Sequence, residues 1–263
     1  MNHRGGLALV RATWASWLQY RSFFFVLAFG WMIPPLLSLF LWTAAAGEGE
    51  VGGMDRGAFV AYYLLVIIVN QITYAQVNWT VGDVIRYGGL NAWLLRPMPP
   101  LYNLFASEVA GKIVYMIFTI PVVAVLALVL KPSLSITAPN AGLFLLALGL
   151  AWLLRTFWGL WVALLAFWAT RADALVTVQD SLVFLLSGVI APVSLLPGVM
   201  EPLAVFLPFR YMIGFPVEVL TGALTGPEVL QGFAVQAAWA ALALALSWLT
   251  WRQGLKRYSA VGG

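Results

Sequence analysis

Cysteine is absent from the 263 residues, and histidine occurs once, at His3. Disulfides, thiolate metal sites and cysteine nucleophiles are therefore excluded together, as is a histidine base inside any apolar run. Lysine is nearly as scarce, at Lys112, Lys131 and Lys256, and charged residues make up only 9%, against about 25% in soluble domains. An ordinary soluble domain is excluded. What is present is apolar: 62% hydrophobic residues and a mean hydropathy of +0.92. A membrane span takes about 20 residues, so six or seven spans use the whole chain and leave no room for a soluble catalytic domain. The net charge of +4 would suggest nucleic acid in a soluble protein; here its distribution matters more, and no nucleic-acid partner is expected.

Six apolar runs are long enough to cross a bilayer: 23–46, 58–79, 106–130, 143–170, 174–191 and 229–251. Flanking charge orients them. On the side shared by both termini lie Arg4, Arg11, Arg21, Arg86, Arg96, Lys112, Arg171, Arg252, Lys256 and Arg257, against Arg56, Lys131 and Arg210 on the other. That bias predicts cytoplasmic termini, including a tail at 252–263, with Glu48, Glu50, Asp55, Glu201, Glu218 and Glu228 outside. Before the first span, Leu7, Val10, Trp14, Trp17 and Leu18 fall at helical spacings beside arginines, which predicts an interfacial helix over 1–22 resting on the lipid bilayer. The competing reading is a continuation of the first span.

Two connections are too long to be turns. Residues 80–105 include Asp83, Arg86, Leu90, Trp93 and Arg96, interrupted by Gly88-Gly89 and closed by Pro97, Pro99 and Pro100. A short amphipathic helix stopped by prolines is expected, either resting on headgroups or docking into a soluble partner. Residues 192–228 carry Pro192, Pro197, Pro202, Pro208, Pro216 and Pro227. Short helical pieces capping the outer mouth, partly re-entrant, are expected there.

Polar residues inside spans are few. Arg155 is the one basic residue near the middle of a span. Its insertion cost of about 3 kcal/mol is offset by the surrounding Leu, Phe and Val. It is a functional candidate, with snorkelling or structural pairing as the alternative. Asn70, Gln71, Thr73, Tyr74, Gln76 and Asn78 crowd the end of the second span. With Asn70, Thr73, Tyr74 and Val77 on one helical face, they either line a water-filled cavity or act as interhelical hydrogen-bond glue.

Catalytic sets are missing. There is no HExxH, no activated serine and no GxxxxGK[ST] phosphate loop. If ATP drives this chain, another polypeptide binds it. A stand-alone secondary transporter or channel is the alternative; only Asp180 and Glu108 are available as intramembrane acids for ion coupling. A lipid-acting enzyme is disfavoured by the same inventory.

Several stretches, in this order, carry a resemblance: AYYLL at 61–65, LLRPMPP at 94–100, FWATRADAL at 167–175, SGVIAPVSLLP at 187–197, LPFRYMIGFPVEVLTG at 207–222 and RYSAVGG at 257–263. Together with the span pattern they resemble the permease subunits of ABC-2 type ATP-binding-cassette exporters, in a bacterial six-span branch. The resemblance implies an all-α polytopic fold forming one transmembrane domain over 1–263, located in the bacterial plasma membrane. It implies a second permease subunit, identical or related, and cytoplasmic ATPase subunits that hold the ATP and magnesium, so that this chain needs no cofactor and is not itself an enzyme. By the same resemblance the loop with Asp83, Arg86, Leu90, Trp93 and Arg96 is the ATPase-coupling element, and Phe24, Trp31, Asn70, Gln71 and Tyr74 are expected to face the pathway. No family role carries over to Arg155.

Overall fold

A computed structural model describes residues 3–19, 21–97, 99–134, 136–169 and 172–258, with the backbone alone at 3–7, 17, 18 and 21–24. Among the expectations above, the Phe24 side chain, the charges of Arg4, Arg21 and Arg171, and the tail beyond 258 lie outside the described residues. The apolar runs form α1 (His3–Gln19), α2 (Arg21–Ala46), α3 (Arg56–Thr73), α4 (Val77–Arg86), α5 (Leu90–Leu94), α6 (Leu101–Leu130), α7 (Ala138–Leu164), α8 (Ala172–Leu186), α9 (Met200–Phe206), α10 (Gly214–Thr221) and α11 (Gly226–Leu255). A minimal hairpin, β1 (Glu50–Val51) and β2 (Met54–Asp55), interrupts the helical pattern after α2. Its two-residue turn is Gly52-Gly53, with φ of 60° and 77°, the positive values that a tight hairpin of this kind requires.

Local chemistry sets the helix ends. The Asp55 carboxylate accepts the Ala58 N–H at 2.6 Å and starts α3. Thr137 caps α7 and is followed by Pro139 in the first turn. Lys131, at φ 51°, ends α6 before Pro132, and Gly222, at φ 72°, ends α10. Pro34 and Pro35 sit inside α2 and Pro121 inside α6, tolerated where neighbouring helices resatisfy the backbone.

Helix α3 is the centre of the bundle: residues from Phe59 to Ile67 are buried all round, between α2, α6, α7 and α10. A helix apolar on every face belongs inside. Helices α7 and α11 pack along each other, with Ala147, Ala151 and Ala243 fully buried where they approach. Helix α1 packs along α6, with Arg11 and Trp14 exposed.

Among the described residues five helices are long and apolar enough to cross a membrane: 25–46, 56–86, 101–130, 138–167 and 226–255. The second runs through α3 into α4. The run expected as a fifth crossing at 174–191 is shorter in the structure. It forms the 15-residue α8, about 22 Å at 1.5 Å per residue, and then breaks into irregular backbone from Ser187. The break centres on Gly188, which adopts φ 96° and where a Cβ would strike the Tyr62 hydroxyl of α3.

The proline-rich stretch does form short pieces: a single helical turn at Val193–Leu195 precedes α9, and another at Arg210–Met212 lies between α9 and α10. It is more than a cap: Tyr211, Met212, Ile213, Phe215 and Val217 are buried in the main core. Carbonyls in its short helical pieces, and in the irregular backbone that precedes them, are met by side chains of neighbouring elements. Tyr62 donates to Gly188 O at 3.0 Å, Trp42 and Tyr63 donate to Ile190 O, Trp239 to Phe206 O, and Gln236 to Tyr211 O. Irregular backbone among apolar helices persists only with such partners.

Candidate functional site

The second crossing is not one helix. The helix is interrupted over Tyr74, Ala75 and Gln76 between α3 and α4, with Tyr74 at φ −51° and ψ 127°. Such a break exposes a carbonyl at the end of α3 and an N–H at the start of α4, each needing a partner. Helix α6 supplies both. Glu108, 1% exposed, accepts the Val77 N–H at 2.7 Å through Oε1, while Lys112 Nζ donates to the Tyr74 carbonyl. One turn apart on α6, the two side chains also pair with each other, Nζ to Oε2 at 2.7 Å.

Helix α7 holds the other side of the break. Arg155, 6% exposed, donates through Nη1 to Asn70 Oδ1 at 2.8 Å and to Thr73 Oγ1 at 3.0 Å. The same nitrogen lies 3.4 Å from the Asn70 carbonyl, and the guanidinium sits 5.5 Å from the centre of the Tyr74 ring. Arg155 therefore pairs inside the bundle and does not snorkel. Around the break, Glu108 and Lys112 thus form an ion pair, while Arg155 is held by the amide and hydroxyl oxygens of Asn70 and Thr73. Pairing and hydrogen bonding of this kind are what permit ionised groups to remain buried.

The pathway candidates gather at the same place, but as a seam. Gln71 Nε2 donates to Ala28 O at 2.9 Å and Asn70 Nδ2 approaches Trp31 O at 3.5 Å. Tyr74 packs against Trp31 with ring centroids 4.5 Å apart. These groups are engaged between α2 and α3, with the Gln71 side-chain oxygen left without a partner among the described residues. The single polar face drawn through Asn70, Thr73, Tyr74 and Val77 also fails at Val77, because the helical register is interrupted at 74–76. The amide density at the end of the second span is the sign of this site in the sequence; Glu108 stands out there as an intramembrane acid and Lys112 as a charge on the termini's side, but that the two pair and meet the broken backbone is not legible.

Beyond the break, α4 and α5 form a rigid knob. Val77, Val81, Ile85 and Leu90 pack with Leu160, Ala163 and Leu164 at the end of α7. Trp251, Leu255 and Tyr258 join the same cluster, so the knob lies at the end of the bundle reached by the end of α11. The expected loop over 80–105 is thus largely helical: α4 begins at Val77 and α6 already at Leu101. Of its named residues, Leu90 is 0% exposed and Trp93 half-buried, both facing inward. Asp83, Arg86 and Arg96 are exposed, and Arg96 is tied to Asn103 Oδ1 at 2.9 Å. The exposed apolar residues at the tip are others: Tyr87 at 72%, Leu94, and Leu95 at 86%.

The architecture defines a polytopic helical membrane protein whose second crossing is broken and whose break carries a buried polar cluster. A family model described as ABC-2 family transporter protein matches residues 29–262. The chain belongs to that family, as a membrane permease of the ABC transporter class. No curated protein matches it.

Proposed function

We propose that the chain is the permease subunit of an ATP-driven exporter, pairs with a second permease subunit to enclose the pathway, and couples to separate ATPase subunits through the α4–α5 knob. In this reading α8 and its irregular continuation make the sixth crossing, and both termini and the knob lie on the cytoplasmic side of a bacterial plasma membrane. ATP and magnesium belong to the partner, since this chain has no loop to cradle a triphosphate.

The observation that supports it best is the knob's division of faces. Leu90 and Ile85 are buried in the bundle while Tyr87, Leu94 and Leu95 stand exposed beside Arg86 and Arg96. An apolar tip ringed by charge on a rigid mount is the form of a docking site. Motion of the docked ATPase would reach α3 through the break at 74–76, where α6 and α7 hold both ends. The states so connected must differ in substrate affinity for nucleotide to drive transport.

The test is affinity purification of the full chain from membranes with mass spectrometry of what accompanies it. An ABC ATPase is expected with the wild type and lost from a Leu94→Asp/Leu95→Asp variant that still inserts. Equal recovery of the ATPase with both would overturn the docking assignment.

A further inference from the structure

At the end of the bundle opposite the knob, a cavity of about 950 Å³ opens between α3, α9, α10 and α11. That volume is at the upper end of the range for small-molecule sites. Its lining has two characters. Val205, Phe206, Phe215, Val235 and Trp239 form an apolar wall, and Glu201, Glu218 and Glu228 bring three carboxylates from three different helices. Among the described residues, Arg210 is the one basic residue that lines it.

Arg210 does not neutralise the whole set. Its Nε and Nη2 both donate to Glu218 Oε2, at 3.0 and 2.6 Å. Glu218 is itself only 8% exposed, yet its second oxygen accepts no hydrogen bond among the described residues and the side chain faces the cavity. Glu228 accepts only from Thr225, and Glu201 has no ion-pair partner among the described residues. Trp239 and Phe206 meet edge to face, with centroids 6.3 Å apart, along the wall. An apolar wall with aromatic faces and an excess of carboxylates disfavours anions and suits a cation with an apolar body.

We infer that this cavity binds an amphiphilic amine: a protonated ammonium group held by the carboxylates of Glu218, Glu201 and Glu228, and a hydrocarbon body lying along Val205, Phe206, Val235 and Trp239. The same chemistry is offered by a free long-chain amine and by an ammonium-bearing lipid headgroup. The site lies in one chain, and the inference stands whether or not an ATPase docks on the knob.

The full chain in phosphatidylcholine nanodiscs is labelled with a diazirine-bearing dodecylamine, and the modified peptides are mapped. Saturable labelling is expected on 200–206 and 226–239, competed by dodecylammonium and not by dodecyl sulfate. Glu201→Gln/Glu228→Gln should weaken apparent affinity at least fivefold and Val235→Trp, which fills the apolar end, should abolish it; size-exclusion profiles confirm folding. If phosphatidylethanolamine in the nanodisc suppresses labelling, the headgroup is the source; if it does not, a free amine is. Labelling spread without saturation over the lipid-facing helices, equal competition by dodecyl sulfate, or unchanged affinity in the folded carboxamide variant would overturn the inference.

Discussion

Arg155 Nη1 donates to Asn70 Oδ1 at 2.8 Å, joining the middle of α7 to the last turn of α3 before the second crossing breaks. The same nitrogen reaches Thr73, whose hydroxyl in turn donates to Val69 O at 2.8 Å. Replacing Arg155 by Ala leaves Asn70 Oδ1 without the donor that faces it and removes the donor to Thr73 Oγ1. A loss of about 1–3 kcal/mol follows from the stranded polar groups. Thermal unfolding in detergent should show the lowered midpoint, with Arg155→Lys recovering part of it because one donor can still reach Asn70.

Glu108 and Lys112 brace the break from α6, and they differ in what each removal strands. Lys112→Met leaves a carboxylate buried and uncompensated, at a cost of about 3–5 kcal/mol. Glu108→Gln keeps an oxygen able to accept the Val77 N–H and should cost less. Denaturation of the two single variants and the double variant should give a non-additive cycle; additivity would mean that the pair does not act as a unit.

The knob separates into an interior and a surface. Leu90→Ala removes a fully buried side chain and should destabilise by about 2–5 kcal/mol. Tyr87→Ala, at an exposed tip position, should stay within about 0.5 kcal/mol while weakening ATPase recovery in the pull-down. Comparing stability and recovery for the two variants checks the assignment.

Glu228 gives one pH dependence. Hydrogen bonds from the Thr225 hydroxyl and backbone N–H hold its carboxyl below its ordinary value of 4.5. A depressed folded value means that the stabilisation is fully present above the unfolded pKa and disappears as pH falls through the folded one. The difference in unfolding temperature between wild type and Glu228→Gln should therefore be constant near neutrality and shrink below pH 4.5. A difference that grows on acidification would contradict the capping arrangement at the start of α11.

How much of this was legible in the sequence depended on the range of the signal. The long apolar runs fall on α2, α3, α6, α7 and α11, with ends up to about six residues from those of the helices, because a run of that length has one use in a bilayer. Gly88-Gly89 and the prolines at 97, 99 and 100 marked the knob. Which of its leucines points inward was not readable, since a five-residue α5 is too short to show a period. The break at 74–76 carries neither Gly nor Pro; it persists because Glu108 and Lys112, distant in sequence, meet its backbone groups. The early end of α8 rests on the positive φ of Gly188 and on Tyr62 from another helix, information that no window of local hydropathy contains.

The most direct test of the coupling account is ATP hydrolysis by the reconstituted chain, alone and with the ATPase that co-purifies with it. The chain alone should hydrolyse none; adding the ATPase should give activity that wild-type permease stimulates and the Leu94→Asp/Leu95→Asp variant does not. Hydrolysis by the purified chain on its own, or full stimulation by the tip variant, would contradict a permease that draws its energy through the α4–α5 knob.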